Sequence, residues 1–226
     1  MAPYDTLNLG FHLGDVDAAV FENRARFAKR LGLRGARLFE QRQVHGTGVR
    51  EVSASDIAEA LADEEGDALI ARIKGVAVAA RTADCVPVLI AHPPSGHVGA
   101  VHAGWRGAVA GVVPRTIDAF SHDAAELVVA IGPHIRVGAF EIGEEVARQM
   151  EDAAKGGAVI RRDGAKPHGD LSALLRLQLR ATGVPDVAID DVGGCTLSDA
   201  AQFFSHRRER GKTGRHLSAI VARASR

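Results

Sequence analysis

The sequence has few cysteines and few large aromatic side chains for its length. Its 226 residues include two cysteines, Cys85 and Cys195, one Trp and one Tyr. Two cysteines cannot build the disulfide framework of a small secreted domain. A chain of this length can also bury an adequate core without covalent cross-links. A disulfide-stabilised scaffold is therefore excluded.

An excess of charge of either sign is also absent. The chain has 28 basic and 28 acidic residues, a balance that argues against a general nucleic-acid binder or a binder of anionic membranes. The N-terminus carries no apolar signal segment, and no apolar run approaches the ~20 residues that a membrane-spanning helix needs. We therefore expect a cytoplasmic protein with neither nucleic acid nor membrane as a partner.

Repeats, low-complexity tracts and linkers are lacking too, which favours one mixed α/β domain over residues 1–226. Apolar spacing and capping residues predict a helix between Asp15, as N-cap, and Gly32, and one over 171–182 capped by Asp170. Further helices are predicted over 109–120, with a kink or a late start at Pro114, and over 144–154. Strands are predicted over 37–44, 49–52, 67–71, 76–80, 86–91, 98–101, 126–131, 187–192 and 217–222.

The stretch over residues 81–107 concentrates the unusual side chains of the chain. It holds Cys85, the only Trp and three of the ten histidines. Its two apolar runs, 86–91 and 98–101, are separated by a turn-forming His-Pro-Pro-Ser-Gly segment that is typical of a hairpin. Antiparallel pairing of these runs would bring Cys85 and His102 to the same edge of a sheet.

A metal site is one interpretation of these residues. His45, Cys85 and His102 each lie at or near the end of a predicted strand, and two imidazoles with one thiolate suit zinc with an open fourth position. The spacings of 40 and 17 residues match no compact zinc-finger pattern. On spacing alone, a buried cysteine with two hydrogen-bonded histidines is the more common arrangement.

A nucleophilic cysteine is the second interpretation. Cys85 with His102 as its base, and Asp84 or another acid as the orienting group, would form a Cys-His hydrolase arrangement. The same side chains serve both interpretations, and a metal ion between them would distinguish the two.

Anion binding is a third possibility. Arg106 stands at a predicted strand-to-helix turn, where a guanidinium and a helix N-terminus together hold phosphate. Arg207 belongs to the densest basic cluster, which a solvated surface face would equally explain. Among the other candidates, Cys195 is predicted to be a small buried residue near the site, and Asp84 a supporting residue. His134 and His206 are predicted to be polar loop residues.

Several blocks together resemble the YfiH-like family, also called the laccase-domain or polyphenol-oxidase family. The resemblance runs from Tyr4 to about Val221 and is carried by YDTLNLGFHLGD, QVHG, TADCVPVL, HAGWRG, IGPHI, FEIGEEV, CT, FFSHRR and TGRHLSAI. It implies an α+β single domain, a four-layer α/β/β/α sandwich with mixed sheets. It also implies zinc bound by His45, Cys85 and His102, since these match the histidine of QVHG, the cysteine of ADC and the histidine of HAGWRG.

The resemblance further implies a purine nucleoside phosphorylase and adenosine deaminase. Adenosine, inosine, guanosine or methylthioadenosine would be phosphorolysed and adenosine deaminated, with nucleoside and phosphate as small-molecule partners of a monomer or small homo-oligomer. Arg106 and Arg207 are then candidates for binding substrate or phosphate. A bacterial branch of the family is linked to editing of cell-wall precursors, so an amidase with Cys85 as nucleophile is the alternative.

Two further alternatives stay open at this point. A copper-dependent polyphenol oxidase fits poorly, because a single set of one cysteine and two histidines is apparent where a multicopper enzyme needs several copper sites. A non-catalytic protein with structural zinc would need a fourth ligand, such as Cys195 or His134. The sequence also departs from the family in lacking an Arg-Gly-Gly segment before Tyr4 and in carrying His134 where a small residue is commoner.

Overall fold

The computed structural model describes residues 3–4, 7–33 and 37–223. Its helices are α1 (Asp17–Arg30), α2 (Ala58–Leu61), α3 (Trp105–Val109), α4 (Val112–Phe120), α5 (Glu144–Ala153) and α6 (Leu171–Ala181). Its strands are β1 (Arg37–Phe39), β2 (Val49–Val52), β3 (Ala68–Ala71), β4 (Val76–Thr82), β5 (Val86–His92), β6 (His97–Ala103), β7 (Val128–Ile131), β8 (Ile160–Arg161), β9 (His168–Gly169), β10 (Ile189–Asp191) and β11 (His216–Val221).

The strands form two main sheets and one short ribbon. The large sheet has the order β10-β7-β5-β6-β3-β2, the small sheet has the order β1-β4-β11, and β8 pairs with β9. Both sheets are mixed: β2–β3 and β7–β10 are parallel in the large sheet, and β1–β4 is parallel in the small one, while the other pairs are antiparallel. The predicted hairpin is confirmed as the antiparallel pair β5–β6.

Alternation along the strands divides the large sheet between two cores. In β3, Ala68 and Ile70 face the helices α3 to α6, whereas Leu69 and Ala71 face the small sheet. Successive side chains of a strand point to opposite faces, so a run that is apolar at every position has to be covered on both sides. The large sheet is therefore an inner layer of the fold, covered on both faces.

The small sheet is covered on its other face by α1. Ala79 and Leu217 of this sheet pack with Leu9 and, from α1, with Phe27. The layer order is thus α1, small sheet, large sheet, helices α3 to α6. This arrangement confirms the predicted α+β class with an α/β/β/α order and mixed sheets.

The start of α1 and the break between α3 and α4 correct details of the prediction. The N-cap of α1 is Val16, with no side-chain cap, because the Asp15 carboxylate accepts instead from the Asn8 amide. Gly111, with φ of +83°, separates α3 from α4, and Pro114 then lies in the first turn of α4, where a missing N–H costs little. Of the two predicted alternatives for this segment, a kink at Pro114 and a late start of the helix, the late start is confirmed.

The buried face of α1 is narrow. Val20 is buried, but Phe21 is 66% exposed and Leu31 is 46% exposed. In the described part of the chain, no helix combines the length and the apolarity that crossing a bilayer requires.

Candidate metal centre

The fold brings together His45, Cys85 and His102 from three separate segments. The β5–β6 register pairs Pro87 with His102, so Cys85, just before β5, lies at the same sheet edge. His45 arrives from the loop between β1 and β2, and its Nε2 lies 3.7 Å from Cys85 Sγ. The potential ligand atoms of the three residues all lie within 4.8 Å of one another.

A buried carboxylate, Asp67, organises this cluster. Its Oδ1 lies 2.7 Å from His102 Nδ1 and accepts the His45 main-chain N–H at 3.0 Å. Its Oδ2 accepts the main-chain N–H groups of Gly46 at 2.7 Å and Val44 at 3.3 Å. With Nδ1 bound to the carboxylate, His102 turns its Nε2 towards the cluster, which is the arrangement common for a metal-binding histidine.

Two backbone features hold the cluster at close quarters. His45 has φ of +60°, in the left-handed region that is unusual for a residue with a side chain. Gly104 lies against the ligands: a Cβ at this position would stand 2.6 Å from Cδ2 of His45 and 3.2 Å from Sγ of Cys85. Gly104, the first glycine of the HAGWRG block, is thus required by the close approach of its backbone to two of the three side chains.

The electrostatics of the cluster favour the ligating form of the thiol. Burial raises the pKa of Cys85, but hydrogen bonds with His102 and His45 and the charges of both histidines lower it to about 6. Burial lowers the pKa of His102, whereas its hydrogen bonds with Asp67 and Cys85 raise it to about 9. A thiolate is therefore available near neutral pH, and thiolate is the form of cysteine that binds metals.

The donor set fits a metal ion with an open coordination position. One thiolate and two imidazole nitrogens are typical zinc ligands, and three protein ligands leave the fourth position free. Neither Cys195 nor His134 belongs to the group of metal-capable side chains that forms the cluster. The His134 side chain is fully buried, and its Nδ1 lies 2.8 Å from the Gly132 carbonyl oxygen. The main chain of His134 forms an isolated β-bridge with Cys195.

Cys195 is less buried than predicted. It is half-buried rather than buried, and it does not line the cavity beside the cluster. Of the two predicted loop histidines, His206 lines the cavity and is exposed, whereas His134 is a core residue.

Asp84 connects loops around the cluster. Its Oδ1 accepts the Thr196 hydroxyl at 2.6 Å, and its Oδ2 accepts the Arg207 main-chain N–H at 2.7 Å. Its carbonyl accepts the N–H of Ile135 at 3.0 Å. Asp84 has φ of +91°, and its carboxylate bonds to the segments around Thr196 and Arg207, whereas His102 Nδ1 bonds to Asp67. Asp67, rather than Asp84, is therefore the acid that orients His102.

A cavity of about 550 Å³ opens in front of the cluster. This volume lies within the range of small-molecule sites in proteins. Arg106 and Arg207 line this cavity. The Arg106 guanidinium lies 4.5 Å from the ring centroid of Trp105, and the Arg207 guanidinium lies 5.5 Å from the ring centroid of Phe140. Arg106 lies in the first turn of α3, which has only five residues, so the predicted contribution of a helix N-terminus is small.

Sequence reasoning missed two residues of this region. Asp67 appeared only as the first residue of a predicted strand, and Arg215, which also lines the cavity, was part of the TGRHLSAI block without a role. A signal existed for Asp67: it is an acidic residue directly before the fully buried run of β3. Such a residue is buried only with partners.

The chain is similar to known proteins along nearly its whole length. Residues 1–223 match the family model described as multi-copper polyphenol oxidoreductase laccase. A purine nucleoside phosphorylase of Pseudomonas aeruginosa is 40% identical over 222 residues, which are 97% of this chain and 87% of the relative. A purine nucleoside phosphorylase of Deinococcus radiodurans is 39% identical over 221 residues, 96% of this chain and 83% of the relative.

Solved structures show the same fold. The crystal structure of YlmD from Geobacillus stearothermophilus has a TM-score of 0.90 and 34% identity, covering 99% of this chain and 87% of that one. The crystal structure of a Neisseria meningitidis protein has a TM-score of 0.85 and 36% identity, covering 99% of this chain and 89% of that one. On its sequence match along nearly the whole chain, supported by these structures, the chain belongs to the multi-copper polyphenol oxidoreductase laccase family.

Proposed function

We propose that this protein is a zinc-dependent purine nucleoside enzyme that phosphorolyses adenosine, inosine, guanosine or methylthioadenosine and deaminates adenosine. The observation that carries the proposal is the His45–Cys85–His102 cluster at a cavity lined by arginines. The names of the relatives support a nucleoside-processing enzyme. The zinc, the individual substrates and the deamination follow what the family resemblance implies, and the donor set of the cluster fits zinc.

His45, Cys85 and His102 would hold the zinc ion. Zinc bound there would supply Lewis-acid activation of water, the chemistry that deamination at C6 of a purine requires. The chain contributes the geometry: Asp67 fixes the His102 ring through Nδ1, and its bonds to the main chain of the 44–46 segment position His45. These contacts keep the ligand atoms directed at one point.

For phosphorolysis, the arginines would hold phosphate against the ribose. An oxygen of hydrogen phosphate forms a bond to C1′ while the bond from C1′ to the purine nitrogen breaks, and the proton that hydrogen phosphate loses ends on the departing base. Arg106 and Arg207 are the proposed phosphate or substrate contacts, because both line the cavity and neither forms an ion pair within the described part of the chain. Positioning of the two reactants supplies much of the rate gain in such a reaction.

One observation favours a second candidate, an amidase acting on cell-wall precursors with Cys85 as nucleophile. The thiol pKa of about 6 and the order Cys85, His102, Asp67 match an activated cysteine with a histidine base and an orienting carboxylate. Attack of Sγ on the carbonyl carbon would release the amine and leave a thioester, which water would then hydrolyse to the acid and the free thiol. This candidate requires a free thiolate, whereas the favoured one requires a metal-bound thiolate.

Oxidation of phenols by several copper ions has less support. Among residues 3–4, 7–33 and 37–223, His45, Cys85 and His102 form the one group of three or more side chains arranged to hold a metal ion. A multicopper enzyme would need additional histidine-rich sites.

Incubation of the purified protein with adenosine and with inosine, each with and without phosphate, tests the proposal. Release of adenine or hypoxanthine that depends on phosphate supports phosphorolysis, and formation of inosine from adenosine supports deamination. Absence of turnover in zinc-loaded protein would refute the favoured function.

Metal content and alkylation separate the favoured function from the amidase. We expect about one zinc per chain in the wild type, much less in Cys85→Ala, and wild-type content in the matched variant Cys195→Ala. A nucleophilic, metal-free Cys85 would instead be alkylated rapidly by iodoacetamide whether or not zinc is present.

A further inference from the structure

The arginines of the cavity differ in whether a carboxylate neutralises them. Arg42 pairs with Glu65 at 2.9 Å, and Arg81 pairs with Glu40 at 3.2 Å. Within the described residues, no carboxylate lies within 4 Å of the guanidinium groups of Arg106, Arg207 and Arg215.

Arg215 stands apart from the other two because it is sheltered from water. Arg106 and Arg207 are exposed, whereas Arg215 is half-buried. An exposed guanidinium is hydrated and screened, so it needs no counter-ion. A partly desolvated guanidinium without a carboxylate is unfavourable unless an anion completes its surroundings.

The Arg215 side chain is also fixed in place. Its main-chain N–H donates to Asn8 Oδ1 at 2.9 Å, and its carbonyl accepts the N–H of Leu9 at 3.0 Å. Its Nη1 donates to the carbonyls of Thr213 at 2.9 Å and Gly214 at 3.0 Å. Among the described contacts, Nε and Nη2 have no protein acceptor, so this edge of the guanidinium is available to a ligand.

The charges near Arg215 lead to the same conclusion. The pKa of Arg215 is lowered overall, mainly by burial and also by the positive charge of Arg81. The negative charges of Cys85 and Asp84 act in the opposite direction and raise it. When Cys85 binds a metal ion, its negative charge is neutralised and no longer compensates Arg215. An anion beside Arg215 would offset both the burial and the repulsion from Arg81.

We infer that Arg215 binds the phosphate co-substrate through the free edge of its guanidinium, an assignment that rests on the proposed function. Two donors in one plane match two oxygens of a phosphate group, a geometry that a lysine ammonium does not reproduce. Arg106 and Arg207, at the exposed part of the cavity wall, then contact the nucleoside or the entering phosphate. The inner position of Arg215 makes it the main determinant of phosphate affinity.

Phosphate binding by zinc-loaded protein, measured by calorimetry and by the shift in Tm, tests this inference without requiring turnover. For Arg215→Gln we expect phosphate affinity to fall at least ~10-fold, since a charge-assisted bidentate contact is lost, and the phosphate-dependent rise in Tm to disappear. Zinc content and the KM for inosine should stay near wild type. The matched control is Arg210→Gln, an exposed arginine of the same segment that does not line the cavity.

Arg215→Lys keeps the assignment testable if the glutamine variant does not fold. It retains the charge and the aliphatic stem, so we expect a folded protein with phosphate affinity reduced severalfold. Unchanged phosphate affinity in a folded Arg215 variant, or no phosphate binding by the wild type, would overturn the inference. Phosphate binding that depends on Arg215 without any phosphorolysis would refute the phosphorolysis in the proposed function and leave the binding role of Arg215 intact.

Discussion

The carboxylate of Asp67 lies 2.7 Å from Nδ1 of the buried His102, 35 residues further along the chain. The same carboxylate accepts the main-chain N–H of His45 at Oδ1 and the main-chain N–H groups of Val44 and Gly46 at Oδ2. Both oxygens therefore accept from two donors each, and both histidines of the cluster depend on one acidic side chain. Burial raises the pKa of Asp67, but these hydrogen bonds and the charge of His102 lower it overall, so it is a carboxylate at neutral pH.

The first prediction concerns Asp67→Asn. An asparagine has one acceptor oxygen and an NH₂ group, so it cannot accept from all of these donors, and one side of the cluster loses its support. We expect zinc affinity to fall about 10- to 100-fold, as is typical when the partner of a metal-binding histidine is removed. Competition with a chromogenic chelator measures the change. The exposed Asp63 provides the control, Asp63→Asn, and equal affinities in the two variants would contradict the orienting role.

A second prediction concerns Gly104→Ala. The added Cβ would lie 2.6 Å from Cδ2 of His45, closer than side-chain carbons approach, so the imidazole has to move. We expect most of the bound zinc to be lost, with a loss of stability of about 1–3 kcal/mol from overpacking. Gly143→Ala is the control, because a Cβ there meets nothing within 4 Å. Stoichiometric zinc in Gly104→Ala would show that His45 is not a required ligand.

The third prediction concerns the loops that Asp84 connects. Thr196→Val keeps the volume of the side chain but removes the hydroxyl that donates to Asp84 Oδ1. A buried carboxylate oxygen without this donor should cost about 1–3 kcal/mol of unfolding free energy. Urea unfolding of the metal-free protein measures it. Thr182→Val, which removes a hydroxyl bound to a carbonyl of its own helix, should cost less, and the opposite ranking would argue against this role of Asp84.

Much of the fold follows from local patterns, whereas the support of the site does not. The β5–β6 hairpin and the Asp170 cap of α6 were predictable, because turn residues, apolar runs and capping residues act over a few positions. The pairing of Asp67 with His102 depends on the registry of β3 against β6, which no short segment encodes. Arg215 reaches the cavity through main-chain bonds to Asn8 and Leu9, at the other end of the chain.

His216 is held neutral in the folded protein. Its Nε2 accepts the Phe204 main-chain N–H at 2.9 Å, so this nitrogen carries no proton. Burial, the largest effect, lowers its pKa from 6.5 to about 4, although a hydrogen bond with the Thr82 main chain and the charge of Asp84 raise it. In the unfolded chain His216 takes up a proton near pH 6.5, whereas in the folded chain it does so only near pH 4.

The last prediction follows from this difference in pKa. Between these two values the unfolded state binds more protons, so stability from His216 is complete above about pH 6.5 and is lost as the pH falls towards 4. The loss amounts to roughly 3 kcal/mol at most. In His216→Gln, whose amide oxygen can still accept from Phe204, urea unfolding should show a smaller fall in stability between about pH 7 and about pH 5 than in the wild type. The exposed His206→Gln should retain the wild-type fall, and an equal fall in His216→Gln would mean that His216 is not the group whose protonation destabilises the fold.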